Sequence, residues 1–348
     1  MFSWGNYSLK RKFVVMQTIV FILAFVPFVF LIVFLMQSNI DKELKRQLEQ
    51  VSVLVDKNFS IIAEQIVTET TKSYNIFESM IEQNYGKKHS NSWSINTQNT
   101  INIKDKTTFD LSYNGYSVTN MQPILDYILT MTKSVGTIFI KDIDGDFVRI
   151  ATSLRDTNGN LVVGTNLGKN HPAFQKINNK EIFTGRVRLF GYDYMSIYAP
   201  VLSASNEVIG ILFVAYQLED FYRALKNSLS QIPIGAQGGI LVLDKKFNKF
   251  IVGDSEQLDD RSYFANPPEN DFIVYSKDGK HYKTFGFYNK PLEVYVLVEA
   301  VIEDFTKTIV VLQEIIVAAL LAIVVIVLLL LSFAIGKLLS PLSTIQKG

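Results

Sequence analysis

Residues 40–66 read IDKELKRQLEQVSVLVDKNFSIIAEQI, and this stretch decides the fold. Its apolar residues recur at spacings of three and four, separated by charged and polar ones: Ile40, Leu44, Leu48, Val51, Val55, Phe59, Ile62 and Ile66. That spacing predicts an amphipathic helix with one apolar face. If the helix runs from residue 38 to Tyr85 it is about 70 Å long at 1.5 Å per residue, too long to be buried in one domain. We therefore predict a spine helix over 38–85, along which smaller lobes pack.

Two long apolar runs stand near the ends of the chain. The first, residues 13–36, reads FVVMQTIVFILAFVPFVFLIVFLM and leads directly into the spine. The second, residues 315–335, reads IIVAALLAIVVIVLLLLSFAI and carries no charge. About 20 apolar residues suffice to cross a bilayer, and both runs are too long and uniform for a soluble core helix. No small-residue cleavage site follows the first run, which argues for an anchor and against a signal peptide.

The charges beside the two runs predict their orientation. Lys10, Arg11 and Lys12 precede the first run, and Lys337 and Lys347 follow the second. By the positive-inside bias, both termini then lie in the cytoplasm, and the intervening domain lies on the other side of the membrane.

The composition excludes several functional classes. The chain has 34 basic and 33 acidic residues, a net charge of +1, so no overall field favours nucleic acid as a partner. It has no cysteine, which excludes disulfide scaffolds, thiolate zinc sites and cysteine nucleophiles. His89, His171 and His281 are far apart, and no serine lies in a nucleophile elbow. We predict neither enzymatic activity nor a cofactor nor a metal site.

Beyond the spine, short strands dominate. Asn114-Gly115 is the favoured two-residue hairpin turn. Helices are predicted over 122–132 and after Pro172, and residues 86–108 are interpreted as polar surface structure around Trp93. Strands are predicted at 109–113, 116–118, 137–140, 147–153, 161–165, 186–190, 194–202 and 208–218. This pattern is typical of an α+β lobe with an antiparallel sheet and helices on one side.

A second lobe repeats the first. Gly136, Ile138 and Asp142 lie 102 positions before Gly238, Ile240 and Asp244, and Leu218-Glu-Asp-Phe221 matches Ile302-Glu-Asp-Phe305 at an offset of 84. The smaller offset indicates that the second lobe has lost loop material before its last strands. Because binding sites are usually built on loops, the first lobe is the better candidate for a pocket.

A candidate anion site follows from strand alternation. Residues 192–198 place three tyrosines and a serine on one strand face, and two arginines lie on other strands of the same lobe. Guanidinium groups beside tyrosine hydroxyls can form a fork for a carboxylate. The alternative is that the tyrosines pack against the spine and the arginines are solvated on the outer face. The predicted ligand-binding residues are Arg149, Arg188, Tyr192, Tyr194, Ser196 and Tyr198, and the predicted ligand is a small organic anion.

Several strings carry a resemblance to a known family: Met121-Gln-Pro-Ile-Leu-Asp126, Thr137-Ile-Phe-Ile, Asp146-Phe-Val-Arg-Ile-Ala-Thr152, Val163-Gly-Thr165, Leu189-Phe-Gly191, Tyr198-Ala-Pro200 and Val208-Ile-Gly-Ile-Leu-Phe-Val214. Together they resemble the Cache 3/Cache 2 fusion domain of bacterial methyl-accepting chemotaxis proteins, over about residues 40–305. Leu339-Ser-Pro-Leu-Ser-Thr-Ile345 is similar to the start of a HAMP linker. The resemblance implies an α+β double Cache fold, in which a distal PAS-like lobe binds a small molecule and a membrane-proximal PAS-like lobe passes the signal on. The aromatic and arginine-rich stretch before a distal aspartate, present in many amino-acid receptors of this kind, is missing here.

The predicted organisation begins with a cytoplasmic N-terminus at 1–12 and a transmembrane helix at 13–36. The sensor domain follows at 38–305 and comprises the spine at 38–85, a distal lobe at 109–220 and a proximal lobe at 235–305. A second transmembrane helix at 310–336 and the HAMP start at 337–348 follow the sensor domain.

The resemblance implies a transmembrane chemoreceptor of the bacterial inner membrane in contact with membrane lipid. The continuous stripe from Ile40 to Ile66 and the tethering of both spans to one domain predict a parallel homodimer with the spine helices at its interface. The receptor's signalling module, with kinase and adaptor partners, would follow Gly348. The alternatives are the same sensor on a histidine kinase or diguanylate cyclase, and a structural or adhesion protein without a small ligand.

Overall fold

The computed structural model describes residues 9–89, 92–104, 106–244, 246, 249–253 and 266–345. Residues 1–8 and 346–348, which belong to the predicted cytoplasmic ends, lie outside the described residues. The helices are α1 (Leu9–Tyr85), α2 (Gln122–Thr132), α3 (Pro172–Asn178), α4 (Glu219–Leu229) and α5 (Ile302–Ile345). The strands are β1 (Trp93–Ile103), β2 (Lys106–Tyr113), β3 (Tyr116–Ser117), β4 (Ser134–Lys141), β5 (Phe147–Thr152), β6 (Phe183–Leu189), β7 (Tyr192–Leu202), β8 (Val208–Gln217), β9 (Gly239–Asp244), β10 (Lys249–Val252), β11 (Asp271–Lys277), β12 (Lys280–Asn289) and β13 (Val294–Val301).

Helix α1 joins the first apolar run and the predicted spine in one element of 77 residues. Its apolar stripe is buried in two successive cores. Leu44, Leu48 and Phe59 pack against the proximal lobe, and Phe77 and Ile81 pack against the distal lobe. The spine is therefore held by burial from Leu44 to Ile81, which a free helix of this amphipathicity would lack.

The distal lobe is built on a five-stranded antiparallel sheet in the order β5-β4-β8-β7-β6. A smaller sheet, β1-β2-β3, packs beside it, and Asn114 and Gly115 form the predicted turn between β2 and β3 with φ of 49° and 83°. Strand β1 corrects the interpretation of residues 86–108 as polar surface structure. Its Asn, Ser and Thr residues hide the strand, but Trp93 and Ile103 are buried in the core under α1.

The stretch 161–165 also differs from the prediction of a strand. Leu161 and the following Asn166 make only isolated bridges, to Arg155 and Val148, because the backbone between them turns through a positive φ of 79° at Gly164. It serves as a loop that closes over β5, where the Gly164 amide donates to the Arg149 carbonyl oxygen at 2.8 Å.

The proximal lobe repeats the distal sheet strand for strand, in the order β10-β9-β13-β12-β11. The fold is therefore α+β, with one long N-terminal helix and two antiparallel-sheet lobes, as the periodicity and the internal repeat predicted. Strand β13 runs into α5 without a loop, since β13 ends at Val301 and α5 begins at Ile302.

Two helices, α1 and α5, are long and apolar enough to cross a membrane. Their most apolar stretches are not covered by the rest of the chain, which distinguishes them from the core helices of a soluble protein. Helix α5 continues through the region that resembles a HAMP linker to Ile345, and the assignment of that linker stays a prediction.

Candidate ligand-binding site in the distal lobe

A bulge in β5 aims Arg149 at the sheet face away from the spine. Pairing runs Ile138 to Ala151 and then Phe139 to Arg149, so Ile150 is an extra residue in β5. Without it, Ile150 would oppose Phe139, and Arg149 would lie on the spine side with Ile138. The bulge therefore moves the guanidinium from one face to the other, a recognised role of bulges near binding sites.

The Arg149 side chain is 2% exposed. Its guanidinium lies between two rings, 4.8 Å from the centroid of Phe139 and 5.4 Å from that of Phe190, and Nη1 donates to the Thr165 hydroxyl. No described residue forms an ion pair with it, and its Nε is buried without a hydrogen-bond partner. Aromatic faces offset part of the desolvation cost of a cation, but a buried charge is normally balanced by a counter-charge.

Burial lowers the pKa of Arg149 to about 10, against a smaller raising effect of the nearby Tyr198. The group is still cationic at neutral pH. The distal lobe therefore encloses one positive charge that the described part of the protein does not neutralise.

Tyr198 and His171 provide a hydrogen-bond donor on the same face. The Ala173 amide donates to His171 Nδ1 at 3.1 Å, which assigns the imidazole proton to Nε2. Nε2 lies 3.3 Å from the Tyr198 hydroxyl and donates to it, so the tyrosine's own proton is available to an acceptor. Burial, followed by the charge of Arg149, lowers the pKa of His171 to about 4, and this neutral state is what the chain of donors requires.

The other predicted residues of strand β7 have different roles. Tyr194 is buried in the same cluster as Tyr198, and burial raises its pKa to about 12. The Ser196 hydroxyl donates to the Gly185 carbonyl oxygen at 2.8 Å, so its proton is already used. Tyr192 is 37% exposed at the start of the strand. The structure thus places Tyr194 in one cluster with Tyr198, brings Tyr198 near Arg149, and leaves Tyr192 at the rim.

The prediction that Arg188 joins the tyrosines is not met by the geometry. Arg188 pairs across the hairpin with Asp193, and both lie on the sheet face opposite Tyr194 and Tyr198. Its Nε is 3.8 Å from Asp193, and its side chain is 42% exposed. Arg186 lies on the same face as Arg188, as alternation requires, but is fully buried in an ion pair with Asp244 of the proximal lobe.

Sequence reasoning missed four residues around the guanidinium: Phe139, Thr165, His171 and Phe190. Phe139, Thr165 and Phe190 lie within strings that carry the family resemblance, and His171 precedes Pro172 and caps α3 through its ring nitrogen. Phe190 adopts a φ of 49°, a left-handed conformation that is costly for a bulky side chain and marks a strained position. It stands in the β6–β7 turn, directly over Arg149.

Helix α1 carries two lobes of identical strand order, and α1 and α5 each include a stretch apolar enough for a membrane, which is the architecture of a double Cache domain. A buried polar site on the distal sheet accompanies it here. The chain belongs to the Cache 3/Cache 2 fusion domain family, which matches residues 35–304.

Several solved structures are similar to this chain. The periplasmic domain of RsbU from Chlamydia trachomatis is 10% identical with a TM-score of 0.45, covering 79% of this chain and 96% of that one. The ligand-binding domain of the Campylobacter jejuni chemoreceptor Tlp3, in complex with L-norvaline, is 14% identical with a TM-score of 0.43, covering 78% and 95%. The ligand-binding domain of Mlp24 with asparagine is 11% identical with a TM-score of 0.48, covering 78% and 98%. No curated protein matches the sequence.

Proposed function

We propose that this chain is the sensory and membrane-spanning part of a chemoreceptor, and that its distal lobe binds a small organic anion. One observation carries the choice of ligand: the Arg149 guanidinium is 2% exposed and has no carboxylate partner among the described residues. A carboxylate ligand supplies the missing counter-charge and accepts from Nε and from the Tyr198 hydroxyl. Bonds of this charge-assisted kind are the strong ones in protein recognition.

The family supports a sensory role, and the missing amino-acid pattern favours a ligand other than an α-amino acid. Membership of the Cache 3/Cache 2 fusion family favours a sensor over an adhesion protein, because the fold is built around a ligand-binding lobe. Calorimetry of the full chain in lipid nanodiscs, against a panel of mono- and dicarboxylates, tests the proposal. We expect at least one carboxylate to bind, whereas binding of only cationic or apolar compounds would rule out the anion site.

The β6–β7 hairpin is our candidate for the moving part. On one face it holds Phe190 over Arg149, and on the other it carries Arg186 and Asp193 into contact with the proximal lobe. A ligand on Arg149 displaces Phe190, and the same hairpin transmits the movement to β9. From the proximal lobe the signal enters α5 directly, because β13 continues into that helix.

The first turn of α5 is fixed to the proximal lobe by its own carboxylates. Asp304 accepts from the backbone amides of Ala236 and Gln237 at 2.9 and 2.8 Å, and Glu303 accepts from the His281 amide at 3.0 Å. A shift of the proximal lobe therefore moves the first turn of α5 with it. The Gly-rich segment 235–239 binds the Asp304 carboxylate through its backbone amides, and Asp304 belongs to the repeated Glu-Asp-Phe motif.

Orientation gives a prediction that follows from the flanking charges. Asn158, in an exposed turn of the distal lobe, and Ser343, in α5, are replaced singly by cysteine in this naturally cysteine-free chain. An impermeant maleimide added to intact cells should label Asn158→Cys and not Ser343→Cys, because residues 38–305 lie outside. Labelling of Ser343→Cys before lysis would overturn the topology.

The proposed homodimer interface lies on the face of α1 opposite the apolar stripe. Leu48 and Val55 of that stripe are buried by the chain's own proximal lobe, whereas Val53, Leu54 and Ile61 are 69%, 57% and 53% exposed on the other side of α1. An exposed apolar row on a helix indicates a partner.

We expect single cysteines at Val53, Leu54 and Ile61 to form disulfide-linked dimers under mild oxidation. Matched cysteines at Leu48 and Val55 should stay monomeric because their side chains are inside the lobe. Equal crosslinking at all five positions, or none at any, would contradict this interface.

The class of signalling module that this sensor controls has the same alternatives as in the sequence analysis. The same sensor on a histidine kinase or a diguanylate cyclase is the second candidate, since the coding sequence after Gly348 decides among them. A run of long heptad-rich helices there would support the chemoreceptor, and a kinase or cyclase core would replace it.

A further inference from the structure

The proximal lobe has a carboxylate where the distal lobe has an aromatic ring. Across the distal sheet, cross-strand neighbours on the site face form one row: Thr137, Phe213, Tyr198 and Phe183. The repeat makes Thr137 equivalent to Gly239, and the matching row of the proximal sheet is Gly239, Glu299, Thr284 and Ile273. The row that passes through the distal site thus has a counterpart with a charge at its centre.

The proximal row also leaves space beside that charge. Two rings and a threonine of the distal row are replaced by smaller groups, and Gly239 is the direct cross-strand neighbour of Glu299. A Cβ added to Gly239 would meet no atom within 4 Å. The lobe therefore combines a carboxylate with open volume on the sheet face away from the spine.

The Glu299 carboxylate has few partners among the described residues. Its carboxylate accepts from the Tyr275 hydroxyl, and no described residue forms an ion pair with it. Burial raises its pKa, while the Tyr275 hydrogen bond and the charge of Lys277 act in the opposite direction. A half-buried carboxylate with one neutral donor is short of partners, and its sign is opposite to that of Arg149 in the distal lobe.

Aromatic rings complete the surroundings. Tyr275 and Tyr282 stack 5.2 Å apart at an interplanar angle of 10°, on the same sheet face as Glu299. Carboxylate and tyrosine rings together are the chemistry that recognises an organic ammonium ion, by charge and by cation–π attraction.

We propose that the proximal lobe carries a second binding site, for a small organic ammonium ion, formed by Glu299, Tyr275 and Tyr282 beside Gly239. The two lobes then respond to ligands of opposite charge. This site does not depend on the anion site, because it rests on other residues in another lobe.

The test uses the full chain in lipid nanodiscs and calorimetry with n-butylammonium and tetramethylammonium. We expect at least one of them to bind, and Glu299→Gln to weaken that binding by at least about tenfold, since a charge-assisted contact is lost. Glu269→Gln is the matched control: it removes an exposed carboxylate of the same lobe and should leave affinity unchanged.

A second variant guards against a fold effect of the first. Gly239→Leu fills the open volume and should weaken cation binding while leaving the thermal midpoint of the chain and its carboxylate binding unchanged. The proposal is overturned if neither cation binds the wild-type chain, or if both variants keep wild-type affinity. Carboxylate binding through Arg149 is read in the same samples, so failure of one site is distinguished from failure of the other.

Discussion

Arg149→Met should abolish carboxylate binding to the distal lobe while leaving the protein at least as stable as the wild type. Truncating one partner of a desolvated charge pair costs roughly 2 to 5 kcal/mol, so affinity should fall by about 30-fold or more. Stability should move the other way because the ligand-free protein buries this guanidinium without a counter-charge, and methionine fills similar space without a desolvation cost. Calorimetry measures the first effect and the thermal midpoint without ligand measures the second.

Arg155→Met is the control for this pair of effects. Arg155 lies in the same lobe but is exposed, and its guanidinium donates to the Gly159 carbonyl oxygen within its own turn. Its removal should change neither affinity nor stability appreciably. An Arg149→Met protein that binds carboxylates normally, or that loses binding only because it unfolds, would identify Arg149 as a structural residue.

The second large effect is expected between the lobes. Arg186 of β6 and Asp244 of β9 form an ion pair in which both side chains are completely buried, and Arg186 also donates to the Leu292 carbonyl oxygen. Removing one partner leaves the other charge buried without this counter-charge, and breaking a buried pair typically costs about 3 to 5 kcal/mol. We expect Arg186→Met and Asp244→Leu each to lower the free energy of unfolding by an amount of this order, measured by chemical denaturation.

The double variant separates a buried-charge effect from a packing effect. Arg186→Met combined with Asp244→Leu removes both charges and should recover much of the lost stability, because no unpaired charge remains. Lys249→Met removes a partly exposed lysine from its 2.7 Å pair with the buried Asp193, and it should cost less because Arg188 still faces that carboxylate at 3.8 Å. Additive losses in the double variant would show that the two charges do not compensate each other.

The inter-lobe pair also bears on signalling. If the β6–β7 hairpin transmits ligand binding to the proximal lobe, the double variant should bind carboxylates with nearly wild-type affinity and pass the signal on less well. Under the proposal above, affinity is set by Arg149 and Tyr198 on one face of the sheet, whereas transmission depends on Arg186 on the other face.

Much of the fold was accessible from the sequence because it rests on local periodicity. Spacings of three and four along residues 40–66 specify a helix, and the repeat from Gly136 to Gly238 specifies two lobes of one design. Strand β1 was not predicted because most of its residues are Asn, Ser and Thr, which do not show an apolar alternation. Only the packing of Trp93 and Ile103 shows that it is part of the core.

The site was accessible only in part, for a different physical reason. Alternation correctly grouped Tyr194 with Tyr198, and Arg186 with Arg188, because a strand has a period of two. It does not tell which face meets the spine, so Arg188 was placed with the wrong neighbours. The bulge at Ile150 changes the face of Arg149, and a bulge depends on the pairing of two strands and cannot be read from either alone.

The most direct test of the anion site is a crystal structure of residues 38–305 bound to the carboxylate that calorimetry ranks tightest. We predict the carboxylate oxygens at about 3 Å from the guanidinium nitrogens of Arg149, with one oxygen accepting from the Tyr198 hydroxyl and Phe190 displaced from its present position. A carboxylate bound elsewhere, with Arg149 still enclosed between Phe139 and Phe190, would contradict the account.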